Sequence, residues 1–350
     1  MNVPLLVTGC LLVLVALVDA VVTTLSLVKG AGPLTGRLAD AVWKTMVTAH
    51  RRRGGSGKVL QWSGTCTLLA TFALWTTLLW AGWWCFFGAD GAAVVSSTTA
   101  VPADAWSRAY FTGYTLFTLG IGDYVPGTAW AQGATVVATL SGLFVVTLAI
   151  TYFLQVVQAV VHKREFAQQV HALGADGAEI VTGGWTDDGF TPMFNQHLVS
   201  LTAPLLRMGE QHMAFPVVHF FHSPAPRKAP ACAVDALDDA LLLLCAGVAR
   251  SSRADPAATG PLRSALGEVL RTLRIRFFAA AERPQPVTPL RRLRDAGVPV
   301  AGEDAYAEAV REHARVRREV RGYLHSDGWE RPEDGGEEGA DRPDAVTRGR

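Results

Sequence analysis

The chain has 350 residues, 49% of them hydrophobic, with a mean hydropathy of +0.21 and a formal net charge of +1. A water-soluble protein of this length would usually be more polar, so the composition argues against an ordinary soluble domain. The near-zero charge says little about partners, because it sums two unlike halves: from Met1 to His162 the acids are Asp19, Asp40, Asp90, Asp104 and Asp123, five of 31.

In chain order, the first long apolar stretch is Leu5 to Val28. A membrane-crossing helix needs about 20 apolar residues. The basic residues follow this run rather than precede it, which argues against a cleaved signal peptide. Cys10 precedes most of the run, which argues against a lipoprotein site. Asp19 lies inside the stretch, where charge is expensive. Its two readings are a proton or voltage sensor and a hydrogen-bonded packing residue. Lys29, Arg37, Lys44, Arg51, Arg52, Arg53 and Lys58 follow, and the arginine triplet could also touch anionic headgroups. The second apolar stretch is Val59 to Phe87, and the third is Ala129 to Val161, followed by Lys163 and Arg164. Basic residues stay on the cytoplasmic side. The two basic clusters therefore fit one orientation, with the N-terminus outside and the C-terminal half cytoplasmic. Trp80, Trp83 and Trp84 would mark the outer interface.

Between the second and third stretches lies Ala105 to Pro126, too short and too polar to cross the membrane twice as helix. Irregular backbone at membrane depth is tolerated only where protein buries it or water bathes it. A re-entrant loop lining a pore meets that condition. Thr118-Leu119-Gly120-Ile121-Gly122 then has a physical task. A dehydrated cation needs oxygens in place of its water shell, and successive carbonyls aimed at one axis supply them. Such a ribbon needs backbone angles of alternating hand, which Gly120 and Gly122 permit at little steric cost. Leu119 and Ile121 would point away from the axis, and the Thr118 hydroxyl would add an innermost ring. One loop per chain implies four chains. Asp104 is placed to cap a short pore helix. The C-terminal end of that helix, near Leu116 and Phe117, would aim partial negative charge inward. Asp123 would favour cations at the outer mouth and brace the loop.

This segment resembles the selectivity filter of potassium channels, whose usual form is Thr-Val-Gly-Tyr-Gly-Asp. The resemblance runs from Val59 to about His162, through Asp123, Pro126 and Trp130. It places Gly142 where two-helix bacterial members carry a hinge glycine. It implies a passive potassium-selective channel: a homotetramer in the plasma membrane, with K+ as permeant ion and no cofactor. It also implies Thr118, Leu119, Gly120, Ile121 and Gly122 as the ion path, Asp123, Tyr114 and Phe117 as filter support, and Gly142 as gating hinge. The sequence departs from the family at Leu119 (usually valine), Ile121 (usually aromatic), Phe117 (commonly threonine) and Tyr114 (often a buried acid). Ile121 motivates a second reading, a nonselective cation channel of the same architecture.

The expected organisation is a helix at 1–30, a basic cytoplasmic loop at 31–58 and a pore domain at 59–162, the latter with outer helix 59–87, pore helix and filter 105–126, and inner helix 129–161. A mostly helical cytoplasmic domain follows at 163–326, with a disordered tail at 327–350. The fold class is an all-α membrane protein. Val234 to Arg250, Pro261 to Glu282 and Gly302 to Ser326 read as helices, with Pro261 in a first turn. Ser223–Pro230 and Arg283–Pro289 read as connectors. His197, His212, His219 and His222 lack the cysteine or carboxylate spacing of a metal site, and none is expected beyond permeant K+. The five cysteines show no CxxC pairing. No nucleotide-binding glycine motif, voltage-sensor repeat or nucleophile–base set stands out, so no enzyme and no nucleic-acid partner are expected. The regulatory ligand or partner of the cytoplasmic half does not follow from the residues. That half motivates a third reading, a membrane-anchored sensor or scaffold with a vestigial pore.

Overall fold

The computed structural model describes residues 1–25, 31–52, 62–223 and 225–329. The expectations for Lys29, Arg53, Lys58 and the tail from 330 onward lie outside these residues. Among the described residues the protein is almost wholly helical, and three helices are long and apolar enough to cross a membrane. These are α1 (Val3–Leu25), α3 (Ser63–Gly88) and α5 (Ala129–Leu173). Between them lie α2 (Pro33–Arg52), the short α4 (Ala105–Leu116) and two three-residue strands, β1 (Val94–Ser96) and β2 (Tyr124–Pro126). The strands pair antiparallel, Val94 opposite Pro126 and Ser96 opposite Tyr124. The chain divides into two compact units.

The first unit comprises residues 1–166 and 203–229. Helix α1 runs antiparallel to α3: the Asn2 N–H donates to the Ala89 carbonyl at 2.6 Å, and Gly9 meets Gly82 so closely that a Cβ at Gly9 would lie 2.7 Å from the Gly82 oxygen. Small residues are what let two spans approach at this range. The core joins Ala16 and Ala20 of α1, Trp75, Leu79, Trp83 and Phe87 of α3, Phe111, Tyr114 and Leu116 of α4, and Ala138, Val145 and Ala149 of α5.

Two expected boundaries change. The stretch read as a basic loop contains α2, because Thr35, Ala39, Trp43 and Met46 fall on one face and Arg37, Asp40 and Lys44 on the other. The inner helix does not end at 161; α5 continues to Leu173, carrying Lys163 and Arg164 within it. Residues 203–229 also belong with this unit. They contain most of α8 (Thr202–Ala214) and a 3₁₀ turn at Pro216–Phe220. Val217, Val218 and Phe220 pack with Leu68 of α3 and with Tyr152, Val156 and Val160 of α5. The Lys163 ammonium donates to the Val218 carbonyl at 2.9 Å, and the Ser63 hydroxyl donates to the Phe220 carbonyl at 2.5 Å.

The second unit comprises residues 167–202 and 230–350. It contains α6 (Gly177–Gly183), a β3–β4 hairpin (Trp185–Thr186 and Gly189–Phe190), α7 (Pro192–Ser200), α9 (Pro230–Leu242), α10 (Pro256–Arg274), the short α11 (Arg291–Asp295) and α12 (Glu303–Ser326). Helix α9 is buried nearly all round, yet it carries Asp235, Asp238 and Asp239. Each acid has a partner. Arg317 of α12 lies 3.0 Å from Asp238 and 3.2 Å from Asp235, and His313 lies 2.8 Å from Asp238. Asp239 accepts from the Thr288 N–H at 3.1 Å and from its hydroxyl at 2.6 Å. Burial alone would raise the Asp238 carboxyl, but the hydrogen bond from His313 and the charge of Arg317 outweigh it and hold the pKa below the usual carboxylate value. The Arg283–Pro289 connector is thereby pinned, since Arg317 also donates to the Gln285 carbonyl at 3.2 Å and to that of Pro286.

Pro261 does not start its helix. Asp255 caps α10 by accepting from the Ala257 N–H at 2.8 Å, which moves the start back to Pro256 and leaves Pro261 inside. The helix read over Val234–Arg250 begins at Pro230 and ends at Gly247 after a short π-helical stretch from Leu243.

Two outcomes follow. Arg317→Met leaves two buried carboxylates without their cation, which should cost about 3–5 kcal/mol. Thermal unfolding of the purified protein, read by proteolysis between residues 230 and 329, should show an early transition, whereas Arg317→Lys should retain part of the stability. In the first unit, burial and the charge of Lys163 push His212 and His219 down to about 3. The unfolded chain takes up those protons near the ordinary histidine value and the folded one does not. Stability is therefore full above about pH 6.5 and falls as the pH drops toward 3. Unfolding temperatures at about pH 7.5 and pH 5 should differ more in the native protein than in a His212→Gln/His219→Gln variant.

Candidate functional site

The loop between α3 and α5 is built from its caps inward. Asp104 ends the preceding extended segment and accepts from the Ser107 N–H at 2.7 Å, so the expected N-cap of α4 is in place. The tryptophans of α3 bond to the neighbouring helices. The Trp84 indole donates to the Ala105 carbonyl and the Trp80 indole to the Ala109 carbonyl, each at 2.9 Å, while Trp83 donates to the Ser141 hydroxyl of α5 at 3.0 Å. Together they fasten α4 to α3 and α3 to α5.

Helix α4 ends in a tight turn. The Phe117 N–H donates to Gly113, that of Thr118 to Thr115 at 3.2 Å, and that of Leu119 to Tyr114 at 2.8 Å. The chain then enters the glycine segment. Thr118 has φ of 58°, Gly120 58° and Gly122 89°, so every second residue is left-handed. Gly120 and Gly122 hold this conformation freely. Thr118 is β-branched and does not; a positive φ there stores strain that the surroundings must hold, as at ligand-clamping sites. Thr118 and Ala100 are the only non-glycine residues with positive φ among the described residues.

Tyrosines on α4 and β2 bond around the segment. The Tyr114 hydroxyl donates to the Tyr124 carbonyl, just past the glycines. The Tyr110 hydroxyl lies 3.4 Å from Asp123 Oδ2, and the Ser107 hydroxyl donates to the Tyr124 hydroxyl at 2.8 Å. Tyr110 and Tyr114 stack edge to face with centroids 5.1 Å apart. Tyr114, one of the residues expected to support the loop, bonds the backbone just past it. Tyr110, Ser107 and Tyr124 were not singled out from the sequence, although Tyr110 and Tyr114 share one helix face at i, i+4 spacing.

Phe117, Leu119 and Ile121 are exposed, Leu119 by 66%. Phe117 and Leu119 edge an apolar groove of about 530 Å³ that also involves Trp80, Trp106 and Tyr110. Gly142 lies in an unbroken α5, and a Cβ there would strike the Leu116 carbonyl. The inner helix and the end of the pore helix can touch only because this residue is glycine. Asp19 is hydrogen-bonded rather than exposed, which fits the packing reading. Of the histidines, His212 bonds the Met208 carbonyl at 3.0 Å, His162 of α5 bonds Gln211 at 3.0 Å, and His197 is exposed. Among the described residues no group of three His, Cys, Asp or Glu could hold a metal ion.

Residues 63–173 thus hold two candidate membrane spans flanking a short helix, which is followed by a loop with left-handed residues at alternate positions. Residues 65–159 match the family described as "Ion channel". The "Uncharacterized membrane protein YdjJ" of Bacillus subtilis is 32% identical over 326 residues, covering 93% of this chain and 94% of that protein. The chain belongs to the same family of membrane proteins as YdjJ. No solved structure matches it.

Gly142→Ala should disturb the α4–α5 contact by about 1–3 kcal/mol. The readout is the yield and unfolding temperature of the purified protein, which should fall well below those of a Gly133→Ala control, where a Cβ meets nothing within 4 Å.

Proposed function

We propose that this chain forms a passive, potassium-selective channel, conducting through carbonyl rings of Thr118, Leu119, Gly120, Ile121 and Gly122 contributed by four copies. The observation that carries the reading is the left-handed backbone at Thr118, Gly120 and Gly122. An alternating ribbon can turn successive carbonyls to one side, which a dehydrated cation requires. The strain at Thr118 is the stronger part of the argument, because a simple surface turn would not need it.

Assembly is supported by what one chain leaves uncovered. On α5, Val136, Leu140, Leu143, Thr147, Ile150, Leu154, Val157 and Val161 are exposed and recur at alternating steps of four and three. That period is the one by which helices pack along a seam with copies of themselves. The apolar groove edged by Phe117 and Leu119 would be covered in the same assembly. In this reading Tyr114 and Asp123 brace the filter from behind, Phe117 packs at its base, and Gly142 serves as hinge as well as contact. The N-terminus lies outside and the C-terminal half in the cytoplasm, in the plasma membrane.

Ile121 favours one alternative. It offers no hydroxyl or ring to brace the filter, and filter stiffness is one proposed source of discrimination between K+ and Na+. A nonselective cation channel would share every other feature.

Purified protein in liposomes should carry a potassium flux that Gly120→Asp abolishes without affecting membrane insertion. Unchanged flux in that variant would refute the filter assignment. Reversal potentials under opposed potassium and sodium gradients separate the two selectivities, since a value near zero means the nonselective channel.

A further inference from the structure

Asp19 takes no part in the pore loop, yet it is 1% exposed and has more partners than a packing residue needs. Its Oδ1 accepts from the Leu34 N–H at 2.8 Å. Its Oδ2 accepts from the Thr35 N–H at 3.2 Å, the Thr35 hydroxyl at 2.5 Å and the Trp75 indole N–H at 2.9 Å. Leu34 and Thr35 are the second and third residues of α2, where backbone N–H groups have no acceptor within the helix. The carboxylate of one span therefore caps the next helix. Gly32, just before α2, donates to the Thr23 hydroxyl at 2.9 Å, and a Cβ on Gly32 would strike the Asp19 carboxylate.

The depth of this contact follows from the helices that make it. Trp75 stands twelve residues into α3, about 18 Å from Ser63 at 1.5 Å per residue. Asp19 lies six residues, about 9 Å, before the end of α1 at Leu25. The hydrocarbon core is about 30 Å thick. The start of α2 is thus well inside the inner half of the membrane. From there α2 descends along α3. Ala39 packs with Leu68, and the Trp43 ring lies 5.5 Å from that of Phe220, whose carbonyl is held by Ser63. The same face of α2 joins Tyr152, Val156 and Ala159 of α5.

We propose that the first turns of α2 form a membrane-inserted half-helix, seated in the inner leaflet by Asp19 as a cap supplied from α1. A helix start within hydrocarbon must have its N–H groups satisfied by protein. Asp19 does this, and the partial positive charge of a helix N-terminus matches a carboxylate. Arg37 lies on the exposed face close to the inner boundary, where its long stem lets the guanidinium reach the headgroups. Asp19 is a positioning residue: it holds α2 against Tyr152, Val156 and Ala159 of α5.

The test is depth by spin label in liposomes, with single cysteines at 36 and 48 in a background lacking the native five. A Cβ at Gly36 meets nothing within 4 Å, and Thr48 is exposed. Position 36 should relax with dissolved oxygen and be lost to a water-soluble nickel chelate, while position 48 should show the reverse. Equal nickel accessibility at the two positions would overturn the insertion. In Asp19→Asn, the amide N–H₂ confronts the donors of Trp75 or Thr35, and position 36 should become nickel-accessible. An unchanged depth there would overturn the role of Asp19. Should that variant fail to insert, Trp75→Phe removes one donor and should give a smaller shift in the same direction, no shift again overturning the role. These readings do not depend on conduction, so their failure would leave the proposed pore standing.

Discussion

Backbone polar groups at membrane depth have to find partners within the protein. The pore unit depends on that constraint more than on any single contact. A helix that starts and stops between two spans leaves N–H groups open at its start and carbonyls open at its end. Here Asp104 takes the N–H of Ser107, and Trp80 and Trp84 donate to the carbonyls of Ala109 and Ala105. Turn bonds from Thr118 and Leu119 close the far end. Beyond these bonds runs the short segment to Gly122, with positive φ at Thr118, Gly120 and Gly122.

The same logic explains the composition of the flanking helices. Three tryptophans in five positions of α3 are costly to place unless their N–H groups have acceptors. Each has one, on α4 or on α5. Gly142 is the steric counterpart, since it lets α5 touch the last carbonyl of α4. Helices α3, α4 and α5 are therefore fixed to one another at the level of the loop. At the opposite end, the turn at Pro216–Phe220 is tied to Lys163 and Ser63, so both ends of the spans are fastened within the same unit.

The spans, the loop and its glycines were legible because each has a local signature: an apolar run of spanning length, a polar break within it, and residues that tolerate positive φ. The cap at Asp104 was legible for the same reason. What escaped depends on pairs distant in sequence. Nothing local says that the Tyr114 hydroxyl finds the Tyr124 carbonyl, that Arg317 answers Asp235 and Asp238, or that Asp19 caps a helix fifteen residues on. Helix α2 was missed because its basic residues dominate the composition of the stretch, while its apolar positions become meaningful only at helical spacing. Pro261 misled because proline favours first turns, and the stronger signal, Asp255 ahead of Pro256, lay five residues upstream.

The central claim is that four copies of one loop surround an ion. Locating thallium in the assembled protein by anomalous scattering tests it most directly. The account predicts discrete density on the symmetry axis at the level of Thr118 to Gly122. Loops that stand apart from any common axis, or an axis without ion density at that level, would contradict it.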